Sequence, residues 1–130
     1  MNTQNAGLLW LRLAAVYFSL AVALGITMGI AGDHTLFPVH AHLNLLGWVS
    51  MALIGLIYLS FPEASRNHLA RAQFWLHNLA LPVMMATLTL KLSGNAQIEP
   101  LLAASSLVMA VSVVLFTLNL LLHARPQPLG

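Results

Sequence analysis

His40 and His42 stand two residues apart in the run Pro38-Val39-His40-Ala41-His42-Leu43-Asn44-Leu45-Leu46-Gly47-Trp48, at the mouth of an otherwise almost wholly apolar segment. A neutral imidazole offers a ring nitrogen to a metal ion or to haem iron. In an apolar span it is costly unless something binds it, so its presence points to chemistry. At 3.6 residues per turn, positions i and i+2 project about 200° apart, so one helix presents the two rings to different neighbours. The reading is axial ligation of haem iron, or binding of another metal, with His42 as first ligand and His40 as second. A polar plug at a helix start is the plainer alternative.

The surrounding residues extend this reading. His40, Asn44, Gly47 and Trp48 share one face through i, i+4, i+7 and i+8 spacing. Asn44 is expected to hydrogen-bond a ligating ring, Gly47 to leave room for a flat macrocycle, and Trp48 to stack on or meet the edge of a ring system. His42 shares its face with Leu45, Leu46 and Val49, which suit the apolar body of a porphyrin. His34, beside Asp33, is expected in a loop, solvated or serving as an additional metal ligand. His77 lies roughly 15 Å from the level of the pair, and is expected to bond Asn78 or a neighbouring helix. His68 and His123 fall at helix ends and are given no chemistry.

These side chains need elements to hold them, and composition says what kind. Of 130 residues, 59% are hydrophobic and 6% are charged; a soluble domain carries about 25%. Five basic and three acidic side chains cannot clothe a water-facing surface, so the chain reads as an integral membrane protein in contact with lipid. The absence of cysteine excludes disulfides and every thiolate-ligated metal centre. The pI near 9.7 comes from arginines at segment ends, which speaks to topology and not to nucleic acid.

Four apolar segments, about 8–30, 37–61, 69–90 and 100–122, are each long enough to cross a hydrocarbon core of ~30 Å. Short connections make neighbours antiparallel, so the expected fold is all-α: one domain, residues 1–130, forming an up-down four-helix membrane bundle with a frayed tail from Arg125 to Gly130. Arg12, Arg66, Arg71 and Arg125 fall on one side and Lys91 on the other. The positive-inside rule then places both termini in the cytoplasm, in a multi-pass protein of a bacterial inner membrane, with His34, His40 and His42 near the outer face. Gly25 and Gly29 form a G-x-x-x-G that permits close helix contact. Pro82 is expected to kink the third segment, Met84 and Met85 to pack in the core, and the aromatics other than Trp48 to mark the membrane interfaces.

From His40 onward the run HAHLNLLGWVSMALIGLIYLSFPE, followed by ARAQFWLHNLALPVMM, resembles two successive helices of the main subunit of the haem–copper oxidase superfamily. The likeness is to its C-type cytochrome c oxidase and nitric oxide reductase branches. It rests on His40, His42, Gly47, Trp48, Tyr58, Pro62, Phe74 and Trp75 and covers about 40 residues. The resemblance implies that the first histidine ligates a high-spin haem and the second a low-spin haem on the opposite helix face. The family's main subunit has about twelve helices in three arcs of four, which for a four-helix chain implies a homotrimer. Its histidine-Pro-Glu motif and other copper-ligating histidines have no counterpart in this chain, so copper is not favoured.

The expectation is a haem b protein, homo-oligomeric with a trimer favoured, acting in electron transfer with a respiratory electron donor or in binding O2 or NO. One alternative is a reduced oxidase-like or nitric oxide reductase-like enzyme, using His34 or His77 of another subunit. The other is an assembly or haem-handling factor for an oxidase.

Overall fold

The computed structural model describes residues 3–125; the tail 126–130, expected to fray, lies outside them. The described residues form helices joined by short loops, with no strand. Helix α1 spans Thr3–Ala31 and α2 spans Phe37–Ser60. A short α3 follows at Pro62–Ser65, then α4 at His68–Leu92, a 3-10 turn at Ala96–Ile98, and α5 at Glu99–His123.

Local chemistry sets these boundaries. A proline stands in the first turn of α2, α3 and α5, where its missing N–H costs nothing and its fixed φ suits the helix. Asn67 caps α4 by accepting the Ala70 N–H at 2.9 Å on its Oδ1. Gly32 at φ 66° and Gly94 at φ 100° follow the ends of α1 and α4, in the left-handed region that side chains disfavour. Inside α4, Pro82 has no N–H to offer the Asn78 carbonyl.

Among the described residues, three of the four long helices are apolar enough to cross a membrane: Asn5–Ala31, Phe37–Ser60 and Ala96–His123. The exception is α4, long enough at 25 residues but carrying Arg71, Gln73, His77, Asn78 and Lys91. Part of that polarity is turned inward: Gln73 and His77 are both buried, beside Leu81, Met84 and Met85. Burial of Met84 and Met85 agrees with a core role.

The long helices pack as two pairs, α1 against α2 and α4 against α5. Trp10 of α1 joins the pairs. Its ring is 1% exposed and meets Phe74 and His77 of α4 edge-on, at centroid distances of 5.2 and 5.3 Å. Such edge contacts add about 0.5–1.5 kcal/mol each to the area that the rings bury.

In the α1–α2 loop, the Asp33 carboxylate accepts the Thr35 N–H at 2.9 Å and the Thr35 hydroxyl at 2.6 Å through one oxygen. The Thr35 hydroxyl bond, then the backbone bond, hold the Asp33 pKa below its usual value; the neighbouring His34 adds a smaller pull. A depressed carboxylate pKa contributes loop order that is present above the ordinary value and lost as pH falls through the lowered one. Thr35→Val is expected to move the Asp33 titration back up, read by NMR of its side-chain carboxyl. An unmoved titration would show that the hydroxyl bond does not set it.

Candidate functional site

Both histidines of the pair spend Nδ1 on a backbone carbonyl. The His40 Nδ1–H donates to Ala21 of α1 at 2.8 Å, and the His42 Nδ1–H donates to Pro38, one turn back, at 2.7 Å. With the proton on Nδ1, each Nε2 carries a lone pair, the state in which imidazole binds a metal. A backbone carbonyl holding the opposite ring nitrogen is also the usual support of a ligating histidine. The His42 Nε2 makes no hydrogen bond among the described residues. The His40 Nε2 lies 3.4 Å from the Asn44 amide nitrogen, which donates its better bond, at 3.0 Å, to the His40 carbonyl. Asn44 therefore stands beside the His40 ring as its spacing predicts.

The two rings do address different surroundings. His40 is pressed against α1, where a Cβ on Gly25 would sit 2.8 Å from its Cε1. His42 folds back over its own helix. Its i+3 and i+7 neighbours, Leu45 and Val49, are 59% and 45% exposed. The His42 ring thus borders an apolar face that the chain leaves uncovered.

Immediately after the pair, Leu43–Val49 forms a π-helical segment, with the Ser50 N–H reaching back five residues to the Leu45 carbonyl. Such wide turns are uncommon and recur at functional sites. The Leu46 carbonyl in this segment accepts the His77 Nε2–H of α4 at 3.1 Å. His77 bonds the neighbouring helix, one of the two partners expected for it, and is sealed in at 1% exposure. Its part is to tie α4 to the segment that carries the pair.

Packing within the chain sets the surroundings of the remaining residues. The space beside Gly47 is not free for a macrocycle: a Cβ there would lie 2.8 Å from both Cβ and Cγ of Tyr17, so that ring fills the gap. Trp48 does stack on a ring, but on Phe18 of α1, with centroids 4.7 Å apart and planes at 30°. Periodicity showed that both residues leave the helix on one side, but not that α1 covers that side. His34 is exposed in the α1–α2 loop, and no three His, Asp or Glu side chains converge within the described residues of one chain. In the G-x-x-x-G pair, Gly25 receives the His40 ring and Gly29 faces open space, so neither brings helix backbones together.

A second polar cluster, at the opposite end of α2, escaped the sequence reading. The Tyr58 hydroxyl donates to Gln73 Oε1 at 2.9 Å and accepts from Asn119 Nδ2 at 3.1 Å. Asn119 also donates to the Ala64 carbonyl at 2.7 Å, and its Oδ1 accepts the Asn67 amide at 2.6 Å. Ser112 donates to the Gln73 carbonyl at 3.2 Å. Gln73, Ser112 and Asn119 are buried, and Gln73 Nε2 has no partner among the described residues. The available signal was a polar side chain inside an apolar helix, with Ser112 and Asn119 seven residues apart on one face. His68 and His123 make local bonds at helix ends, to Arg71 and to the Asn119 carbonyl.

No protein family, curated protein or solved structure matches the chain.

Proposed function

We propose that the chain is a membrane-embedded haem b protein, with His42 Nε2 as the principal axial ligand and His40 Nε2 as the second. The observation that carries this reading is the shared arrangement of the two rings, each with Nδ1 bound to a carbonyl and Nε2 left as a lone pair. In this proposal α1, α2, α4 and α5 cross a bacterial inner membrane as an up-down bundle with cytoplasmic termini. The inward polar face of α4 makes its lower hydropathy compatible with a span, since only its outer face meets lipid.

The residues fit haem ligation at the nitrogens and do not fit a plate lying over Gly47, where Tyr17 stands. The open side is the one beside His42, against Leu45 and Val49. A single chain provides only one wall there, so a second copy must supply the other. A trimer, in which each α2 lies between two subunits, meets that need. Haem held here by His42 and His40 would supply one-electron transfer or the binding of O2 or NO. The chain's own part is to hold the His42 and His40 Nδ1–H groups on the Pro38 and Ala21 carbonyls, fix both ring planes, and keep bulk water away with apolar neighbours.

The oxidase-like reading would have to gather its remaining metal ligands from more than one chain, because no three converge within the described residues. One preparation tests the proposal, by visible spectrum, iron content and native mass. The expected result is a Soret band, iron near one per chain, and a mass above that of the monomer. A colourless preparation would overturn the haem reading, and monomers alone would overturn the shared site.

A further inference from the structure

A groove of about 740 Å³ runs between α1 and α4 at the end of the molecule remote from His40 and His42. Ala6, Leu9, Trp10 and Leu13 form one wall, at i, i+3, i+4 and i+7 of α1. Arg71, Phe74, Trp75, Asn78 and Leu79 form the other, on one face of α4. At 1.5 Å per residue the walls extend about 10–12 Å along the helix axes. The character changes along that length. Arg66, Asn67 and Arg71 stand at the α3–α4 end, while Leu13 and Leu79 lie at the far end. Trp75 is 57% exposed, open to whatever surrounds the helices.

The charges at the mouth are unevenly engaged. Arg66 lies 4.0 Å from Glu63, in a pair exposed on both sides, and such pairs hold weakly. Arg71 donates to the Nδ1 of His68 at 2.9 Å, an uncharged lone pair that orients the guanidinium, and no carboxylate pairs with it among the described residues. A basic mouth above an aromatic, then aliphatic, trough is complementary to an anionic amphiphile lying parallel to the helices. A free phosphate would use only the mouth, and an uncharged lipid only the trough.

We propose that this groove binds one anionic phospholipid, its phosphate at Arg71 and Arg66 and an acyl chain along Leu9, Trp75 and Leu79. The site depends on the membrane placement of the helices and is independent of haem. Guanidinium recognition of phosphate is strong and geometrically specific, and clustered basic residues beside a membrane helix attract anionic headgroups.

The test is native mass spectrometry of the detergent-purified full chain, with phosphatidylglycerol or phosphatidylcholine of the same acyl chains added. Phosphatidylglycerol is expected to be retained selectively, at one per chain. Arg66→Gln with Arg71→Gln is expected to weaken retention by about tenfold, the loss of one or two charge-assisted hydrogen bonds. Arg12→Gln, which removes an exposed arginine of α1 outside the groove, is the matched control and should leave retention unchanged. Equal retention of the two lipids, or an equal loss in Arg12→Gln, would overturn the proposal. Should the double variant not fold by circular dichroism, the wild-type protein decides the question. Two of its three tryptophans line the groove, so quenching by brominated-chain phosphatidylglycerol diluted in phosphatidylcholine should saturate at a low mole fraction. Quenching that only tracks mole fraction would sink the site.

Discussion

The double variant His40→Ala, His42→Ala, purified from membranes, is expected to lose the Soret band while keeping its helical circular dichroism. The two halves of that expectation rest on different bonds. Among the described residues, the His42 side chain hydrogen-bonds the Pro38 carbonyl of its own helix; His40 bonds one carbonyl of α1, with Asn44 a weak 3.4 Å from its other nitrogen. A hydrogen bond of this kind contributes about 0.5–1.5 kcal/mol net, so removing two trims stability without unfolding a helical membrane protein. Haem retention answers to the ligand itself. Deleting even an outer partner of a metal ligand costs about 10- to 100-fold in affinity, and deleting the ligand costs more.

The single variants rank the two nitrogens. His42→Ala is expected to release more haem than His40→Ala, because the His42 Nε2 makes no competing bond, whereas Asn44 stands 3.4 Å from that of His40. Equal loss from the two would overturn the ranking of His42 over His40. A band unchanged in the double variant, at unchanged iron content, would remove these histidines from haem binding altogether.

What was legible in the chain, and what was not, follows from the range over which each signal acts. Helix starts are written locally, by Pro38, Pro62, Pro100 and the Asn67 cap, and the structure puts helices within a few residues of the segments read from hydropathy. The divergence of His40 and His42 is also local, since it needs only the period of one helix. What lies opposite a residue is not local. Gly47, Trp48 and His40 leave α2 toward α1, and only the register of the two helices decides that Tyr17, Phe18 and Gly25 meet them. The π segment adds a second obstacle: its wider turn departs from the 3.6-residue spacing by which those faces were drawn. The same holds for Asn119, whose partners Tyr58, Ala64 and Asn67 are distant in sequence.

Gly55→Ala is expected to destabilise the α1–α2 pair. An added Cβ would lie 2.9 Å from the Gly7 carbonyl oxygen, 3.0 Å from Leu11 Cγ and 3.2 Å from Trp10 Cβ. The reverse contact matches it, since a Cβ on Gly7 would sit 2.8 Å from the Gly55 carbonyl oxygen. Backbone faces backbone at this crossing, so the clash cannot be relieved by turning a side chain, and the helices must separate. Separation would also shift Trp10, whose ring joins α1 to Phe74 and His77 of α4. Overpacking of this kind costs about 1–3 kcal/mol. Gly29 is the internal control, because a Cβ there meets nothing within 4 Å. In mid-helix, alanine is favoured over glycine by about 0.5–1 kcal/mol, so Gly29→Ala should be neutral or stabilising. Thermal or denaturant melts in one detergent therefore separate the two glycines by sign. If Gly29→Ala melted below Gly55→Ala, the close crossing would lie along the G-x-x-x-G face of α1 instead of at Gly7 and Gly55.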